Sequence, residues 1–157
     1  MQRALVSAGG SSQRGWGAQD WELSLEPGRR AMARLRLRDA ALATSGAGEQ
    51  HFEEGGRRFG HVLDPRTGWP AEGVRSASVL ASEAAVADAL STAFLVGGPE
   101  LAETVCAARP GTLALFVLDA QPDELVAVGS RDGVSVEPAA GVRVVRRELE
   151  TEPVYPD

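Results

Sequence analysis

The sequence contains no lysine, so all 16 of its basic residues are arginines. This absence excludes a phosphate-binding P-loop lysine, a Schiff-base lysine and a lysine general base. One cysteine, Cys106, excludes an internal disulfide and any multi-cysteine zinc site. Its neighbours in ELAETVCAARP are mostly small and apolar, so we predict that Cys106 is a buried packing residue.

Long hydrophobic runs are also missing. None approaches the roughly 20 residues that a membrane-spanning helix needs. The first ten residues, MQRALVSAGG, lack the charged region and apolar core of a secretory signal. We therefore predict a soluble chain with no membrane segment and no targeting signal in this sequence, and the compartment stays open.

The charge balance argues against another class of partner. The chain has 157 residues and a formal net charge of −6, and no basic patch dominates it. Proteins dedicated to nucleic acids usually carry such a patch, so we predict no nucleic-acid partner. The length is typical of one domain.

The order of hydrophobic patterns predicts the fold class. Alternating apolar and polar residues predict strands at 21–26 and along 31–46, with a hairpin turning at Gly55-Gly56, while 11–17 is predicted as a loop. A helix follows from about Ser82 to Val96 and stops at Gly97-Gly98-Pro99, before a second helix and further strands. This order predicts an α+β domain over 1–147, with a mostly antiparallel sheet and helices on one face, and a fraying tail at 148–157.

The first predicted helix, EAAVADALSTAFLV, is apolar on nearly every side, which is typical of a buried helix. Its middle nevertheless carries Asp88, Ser91 and Thr92, which share one face. In a purely local interpretation, the hydroxyls bond backbone carbonyls of the preceding turn and Asp88 reaches water at an edge. Alternatively, the oxygen atoms form a site for a hard cation such as Mg²⁺, since a buried carboxylate is costly unless it is paired or metal-bound.

The stretch HVLDPRTGWP at 61–70 sets reactive side chains between two prolines and a glycine. It could be a purely structural turn, started by Asp64-Pro65, with Gly68 supplying a positive φ and Trp69 packing. In the functional interpretation, His61 is an acid, a base or a polar contact, and Asp64 is a functional carboxylate. Arg66 binds a phosphate through two hydrogen bonds, and Thr67 donates a hydrogen bond. Thr44 and Ser45, in ATSG, likewise either form a turn or donate to a phosphate.

Taken together and in order, ATSG, HVLDPRTGWP and ADALST resemble the C-terminal half of the ApbE family, the FAD:protein FMN transferases. The resemblance covers about residues 3–120. It implies a T-fold-like α+β architecture. It also implies a reaction in which FMN moves from FAD to a threonine or serine of an acceptor flavoprotein, with Mg²⁺ required and AMP released.

The same resemblance implies roles for the candidate residues. Asp88 and Thr92 would bind the metal, and His61 would assist deprotonation of the acceptor hydroxyl. The residues that would line the flavin and phosphate region are Thr44, Ser45, His61, Asp64, Arg66 and Thr67. Family members are often periplasmic or membrane-anchored.

Because only the C-terminal half is matched, two alternatives accompany the transferase. The chain could be a truncated FAD- or nucleotide-binding module without turnover, or it could hydrolyse the FAD pyrophosphate to FMN and AMP. A second chain or a homodimer could complete the site.

Overall fold

The structure, a computed structural model, describes residues 3–27, 30–46 and 51–149. Within these ranges the chain forms twelve strands and one long, kinked helix. The elements are β1 (Ala4–Ala8), β2 (Ser12–Trp16), β3 (Trp21–Leu25), β4 (Ala33–Leu37), β5 (Ala41–Gly46), β6 (His51–Glu54), β7 (Arg57–Gly60), β8 (Val74–Ala81), α1 (Ala84–Ala108), β9 (Leu113–Leu118), β10 (Gln121–Gly129), β11 (Val134–Pro138) and β12 (Arg143–Arg147).

A seven-stranded sheet in the order β1-β2-β5-β8-β9-β10-β12 forms the centre of the molecule. Its neighbouring strands are antiparallel except β10 and β12, which are parallel. A second sheet has the order β11-β4-β3, and β6 and β7 form a separate hairpin. The predicted α+β class with a mostly antiparallel sheet is confirmed.

Each face of the central sheet buries its own apolar cluster. On β5, Ala41 and Ala43 pack against α1, while Leu42 between them packs against the three-stranded sheet. This alternation follows from the two-residue period of a strand. As predicted, the helix covers one face, and Cys106 is buried there. Burial raises the pKa of its thiol to about 11.

The helix breaks where the glycine pair predicts. Gly98 has φ 70° and ψ −173°, outside the helical region, and Pro99 follows it. The predicted burial on all sides is wrong, however. Phe94 and Leu95 are buried, whereas Asp88, Thr92 and the alanines that follow them, Ala89 and Ala93, are exposed. One sheet can cover only one side of a helix, and exposing alanine costs little apolar burial.

Three strand predictions also need correction. Residues 12–16, predicted as a loop, form β2, which has little apolar patterning and is held by backbone pairing to β1 and β5. The stretch 31–46 is two strands in different sheets, β4 and β5, and Asp39 between them has φ 45°. Strand β11, which pairs with β4, was not predicted.

Within the described residues, no helix is long and apolar enough to cross a bilayer. Of the predicted tail, residues 148 and 149 lie within the described ranges, and Leu149 packs against the helix-side cluster. The remaining tail residues, 150–157, lie outside them.

Candidate functional site

A polar cluster lies where α1 crosses the exposed end of the central sheet. The helix contributes Asp88, Ser91 and Thr92, β5 contributes Ser45, and β2 contributes Ser12. Ser12 pairs with Ala43 of β5, whose side chain faces the helix. Cross-strand partners point to the same face, so Ser12 and Ser45 both face α1.

Hydrogen bonds connect the cluster. Ser12 Oγ donates to Asp88 Oδ1 at 2.9 Å. Ser45 Oγ lies 2.8 Å from Ser91 Oγ and 3.0 Å from Thr92 Oγ1. Ser91 Oγ donates to the backbone carbonyl of Asp88 at 2.9 Å. The purely local interpretation fits Ser91, which is fully buried, and Asp88, which is exposed to solvent. It does not include the bond that the Asp88 carboxylate accepts from Ser12.

The donor atoms suit a hard cation. Asp88 and Thr92 are exposed, and they present a carboxylate and a hydroxyl to the same side of the helix. Mg²⁺ commonly takes one or two carboxylates and completes its shell with water and ligand phosphates. In the described part of the chain, no group of three or more His, Cys, Asp or Glu side chains is arranged so that it could hold a metal ion.

Thr44 lies apart from this cluster. It pairs with Ser78 in the β5–β8 ladder, and Thr44 Oγ1 lies 2.9 Å from Ser78 Oγ. Successive strand residues point to opposite faces, so Thr44 faces away from α1 while Ser45 faces it. The prediction that both hydroxyls reach one ligand stays a prediction, and the geometry favours Ser45.

The HVLDPRTGWP stretch is a hairpin-like turn with backbone bonds on both sides. Asp64 N donates to Trp69 O at 2.8 Å, and Gly68 N donates to Asp64 O at 2.8 Å. Gly68 has φ 73°, which favours glycine, and Thr67 Oγ1 accepts from Trp69 N at 3.2 Å. The turn is thus fixed by its own bonds. Trp69 does not pack as the structural interpretation predicts, since it is 69% exposed.

Asp64 and Arg66 form a bidentate pair inside this turn. Arg66 Nη2 donates to Asp64 Oδ2 at 2.7 Å and Nε donates to Oδ1 at 2.9 Å, while the Arg66 backbone N also donates to Oδ1. These bonds from Arg66 hold the pKa of the Asp64 carboxyl below its usual range, and the same pairing raises the pKa of the guanidinium. One edge of the arginine fork is therefore already occupied, although the side chain is 70% exposed.

An open groove of about 780 Å³ borders the turn. Asp64, Arg66 and Thr67 lie on one wall, and the hairpin and Val96 of α1 line other parts of it. Val96 follows Thr92 by four residues, so the two share a helix face one turn apart. The lining residues are Glu54, Phe59, Asp64, Arg66, Thr67, Trp69, Pro70, Ala71, Glu72 and Val96.

His61 stands between β7, which ends at Gly60, and the turn. Its side chain is exposed, and it has contacts within the structure. The other histidine, His51, starts β6 and pairs with Gly60, so the hairpin brings both histidines to the base of the same loop.

The sequence interpretation missed Ser12 and the groove residues Phe59 and Val96. Ser12 lies in a segment with too few apolar residues for a strand to be recognised. The glycine pair at 9 and 10, which follows a short apolar strand, was the available sign of a hairpin. The groove depends on contacts between the hairpin, the turn and α1, which no local pattern encodes.

Known proteins resemble this chain over the part that carries the polar cluster and the turn. The ApbE family matches residues 1–117. The FAD:protein FMN transferase of Rhodobacter capsulatus is 41% identical over 103 residues, which cover 62% of this chain and 20% of that protein. The FAD:protein FMN transferase of Escherichia coli K12 is 33% identical over 129 residues, which cover 77% of this chain and 36% of that protein.

Solved structures agree with this match. The ApbE protein of Thermotoga maritima superposes with a TM-score of 0.65 at 31% identity, over 88% of this chain and 43% of that one. The apo flavinyl transferase ApbE of Pseudomonas stutzeri gives a TM-score of 0.60 at 26% identity, over 89% of this chain and 42% of that one. The chain thus spans less than half the length of these relatives.

Proposed function

The chain belongs to the ApbE family, and from this premise we propose that it supplies the metal site and part of the FAD site of a Mg²⁺-dependent FAD:protein FMN transferase. In this reaction the hydroxyl oxygen of an acceptor threonine or serine attacks the FMN-side phosphorus of FAD. The new P–O bond forms as the bond to the AMP phosphate breaks. FMN becomes a phosphoester on the acceptor flavoprotein, and AMP leaves.

The observation that carries the proposal is the position of Asp88 and Thr92. They lie exposed on one helix face, and the same face reaches the groove beside the Asp64–Arg66 turn one helical turn later. A dinucleotide held in that groove would therefore have its phosphates near an oxygen-lined cation site.

Asp88 and Thr92 would hold the Mg²⁺. When bound, a divalent cation neutralises charge that develops on a diphosphate during transfer. The chain itself contributes the donors and their arrangement. Asp88 supplies a carboxylate, Thr92 supplies a hydroxyl, and both are anchored to a helix packed on the sheet.

The groove fits a flavin nucleotide in size and chemistry. Its volume of about 780 Å³ lies within the usual range for small-molecule sites. Phe59, Trp69 and Pro70 offer apolar surface for a planar ring. Arg66 keeps donors directed to solvent after pairing with Asp64, which suits a phosphate oxygen.

His61 would act as the base. It begins the turn that lines the groove, and a histidine can accept a hydroxyl proton near neutral pH. In the proposed reaction His61 takes the proton from the acceptor hydroxyl as the new P–O bond forms. The backbone bond from Ala71 N to Val62 O fixes the chain next to His61, which would keep the histidine near the groove.

We also propose that further polypeptide covers the site, either a second chain or a second copy of this one. The groove is open, and Asp88, Thr92, His61 and Trp69 are exposed. Phosphoryl transfer to a protein hydroxyl needs water kept away from the phosphate. Sedimentation of the chain with and without FAD and Mg²⁺ would detect a complex that forms around the ligand.

The same exposure favours a second candidate, hydrolysis of FAD to FMN and AMP. Water can reach the exposed side chains of the site, and water would replace the acceptor hydroxyl in an otherwise identical displacement. Release of AMP without modification of any protein would identify this activity.

The direct test is to incubate the chain with FAD, Mg²⁺ and an acceptor flavoprotein and to measure intact masses. Transfer predicts an acceptor heavier by one FMN together with AMP, and both should be lost with Asp88→Asn. FAD binding without AMP or modified acceptor would overturn the transferase in favour of a binding module.

A further inference from the structure

Two serines outside the metal-binding pair lie against Asp88 and Thr92. Ser12 Oγ bonds one oxygen of Asp88, and Ser45 Oγ lies within 3.0 Å of Thr92 Oγ1. Asp88 and Thr92 are exposed, so side-chain freedom would otherwise let them turn away from each other. The serines are therefore placed to fix both orientations.

Proton counting sets the direction of the bonds around Ser45. A serine hydroxyl has one hydrogen to donate. Ser91 donates its hydrogen to the backbone carbonyl of Asp88 at 2.9 Å, so Ser91 accepts in its 2.8 Å contact with Ser45. Ser45 therefore donates its one hydroxyl hydrogen to Ser91, and it must accept a hydrogen bond from Thr92 in the 3.0 Å contact.

The resulting chain runs from Thr92 to Ser45, then to Ser91, and ends at the carbonyl of Asp88. It directs the hydrogen of Thr92 inward, toward the sheet. The lone pairs of Thr92 Oγ1 are left for the exposed side, where the carboxylate of Asp88 lies. The alternative donor bond for Thr92, to the Asp88 carbonyl, is long at 3.5 Å and so competes weakly.

The carboxylate is fixed in a similar way. Ser12 occupies Oδ1 of Asp88, and Oδ2 takes no part in this bond. Ser12 is held in turn by β2, whose backbone pairs with β1 and β5. One carboxylate oxygen is thus anchored to the sheet, and the anchor sets the direction of the other.

We propose that Ser12 and Ser45 are positioning residues that aim Asp88 Oδ2 and the Thr92 lone pairs at a shared divalent cation. This positioning role rests on the proposed function, and it assigns Ser45 to the metal site of that function. A serine whose hydrogen is committed to Ser91 cannot also donate to a phosphate without breaking the chain. Ser45 therefore serves the metal site rather than the phosphate.

The test measures metal binding directly on the purified chain. Mn²⁺ replaces Mg²⁺ as the probe, with free Mn²⁺ followed by electron paramagnetic resonance and Mg²⁺ added as competitor. Changes to groups that hold metal ligands in place typically lower metal affinity by about 10–100-fold. We expect losses in this range for Ser12→Ala and Ser45→Ala, and recovery toward wild type for Ser12→Thr, which restores the hydroxyl.

Ser78→Ala is the matched control. Ser78 makes a hydroxyl–hydroxyl bond to Thr44 on the opposite face of the same strands, so its loss disturbs the sheet without touching the cluster. We expect its Mn²⁺ affinity to match wild type. Thermal unfolding without metal shows whether each variant is folded before its affinity is compared.

Wild-type affinity in Ser12→Ala and Ser45→Ala would overturn the proposal. Loss of affinity in Ser78→Ala equal to that in Ser45→Ala would also overturn it, since the effect would then be structural. Absence of Mn²⁺ binding by the wild-type chain, whatever its transfer activity, would do so as well. Affinity losses as expected without any FMN transfer would instead support the positioning roles and contradict the transferase.

Discussion

The two faces of the central sheet are made by the same strands and have opposite characters. On the face toward the three-stranded sheet, Leu80 and Leu125 are fully buried in one cluster with Leu35 of that sheet. The face toward α1 is apolar in its middle and polar at one end, where Ser12 and Ser45 meet the helix. We propose that the first face mainly stabilises the fold and that the polar end of the second face binds the cation.

Thr44 and Ser45 illustrate the difference most closely. They are neighbours in one strand, and one peptide unit decides that Thr44 bonds Ser78 while Ser45 bonds Ser91 and Thr92. The ATSG motif alone suggests that Thr44 and Ser45 are equivalent hydrogen-bond donors. Because side chains alternate along a strand, however, the two residues lie on opposite faces of the sheet.

The largest expected effect comes from the apolar cluster between the two sheets. Leu35→Ala removes a side chain that is 0% exposed, and such changes typically cost about 2–5 kcal/mol. Chemical denaturation should show this loss of unfolding free energy. Mn²⁺ affinity of the folded fraction should stay at the wild-type value, and a parallel loss of affinity would show that the two faces are not separable.

The next effect belongs to the polar end. Asp88→Asn removes the carboxylate while keeping its shape, and we expect Mn²⁺ affinity to fall by at least about 100-fold, more than for groups that only hold ligands in place. Because Asp88 is exposed, the free energy of unfolding should change by less than about 1 kcal/mol. Retained metal affinity would place the cation elsewhere.

The contrast between neighbours can be measured with FAD. Ser45→Ala and Thr44→Val each remove one hydroxyl, and titration with FAD in the presence of Mg²⁺ should show the greater loss of affinity for Ser45→Ala. A greater loss for Thr44→Val would mean that the face turned away from α1 takes part in ligand binding.

Gly68 tests the shape of the turn. Its φ of 73° is unfavourable for a side chain, while no atom lies within 4 Å of the position that a Cβ would take. We therefore expect Gly68→Ala to cost about 1–2 kcal/mol through the backbone alone, and Gly68→Asn to cost less, since asparagine tolerates this region. Equal losses in thermal unfolding would point to a steric cause instead.

The smallest effect concerns pH. The side-chain bonds from Arg66 hold the pKa of Asp64 below its usual range, so this pairing favours folding above the ordinary aspartate pKa and is lost as the pH falls through the lowered pKa. Arg66→Gln should move the pKa of Asp64 up toward its usual range, as followed by carboxyl NMR titration. An unchanged pKa would mean that backbone bonds alone hold it down.

Much of the fold followed from the sequence because its signals are local. The alternation in β4, the glycine pair at 55–56 and the break at Gly98 each depend on a few neighbouring residues. Strand β2 did not follow, because it is held by ladder bonds on both sides and not by apolar patterning. Its position depends on partners that lie far away in the sequence.

The site was predictable in part for the same reason. The helical spacing placed Asp88 and Thr92 on one face, and the structure agrees. It could not reveal Ser12, 76 residues away from the carboxylate it bonds. The sequence also could not show that Arg66 would donate hydrogen bonds to Asp64 within the turn. The same residues of HVLDPRTGWP were compatible with both the structural and the functional interpretation.

The most direct test of the account is paramagnetic broadening of backbone amide signals by Mn²⁺. If the polar end of the helix-side face is the metal site, the amides of Ser12, Ser45, Asp88 and Thr92 broaden first, and excess Mg²⁺ restores them. Amides of the three-stranded sheet, such as Leu23 and Leu35, stay sharp. Broadening centred elsewhere, or none that Mg²⁺ reverses, would contradict the account.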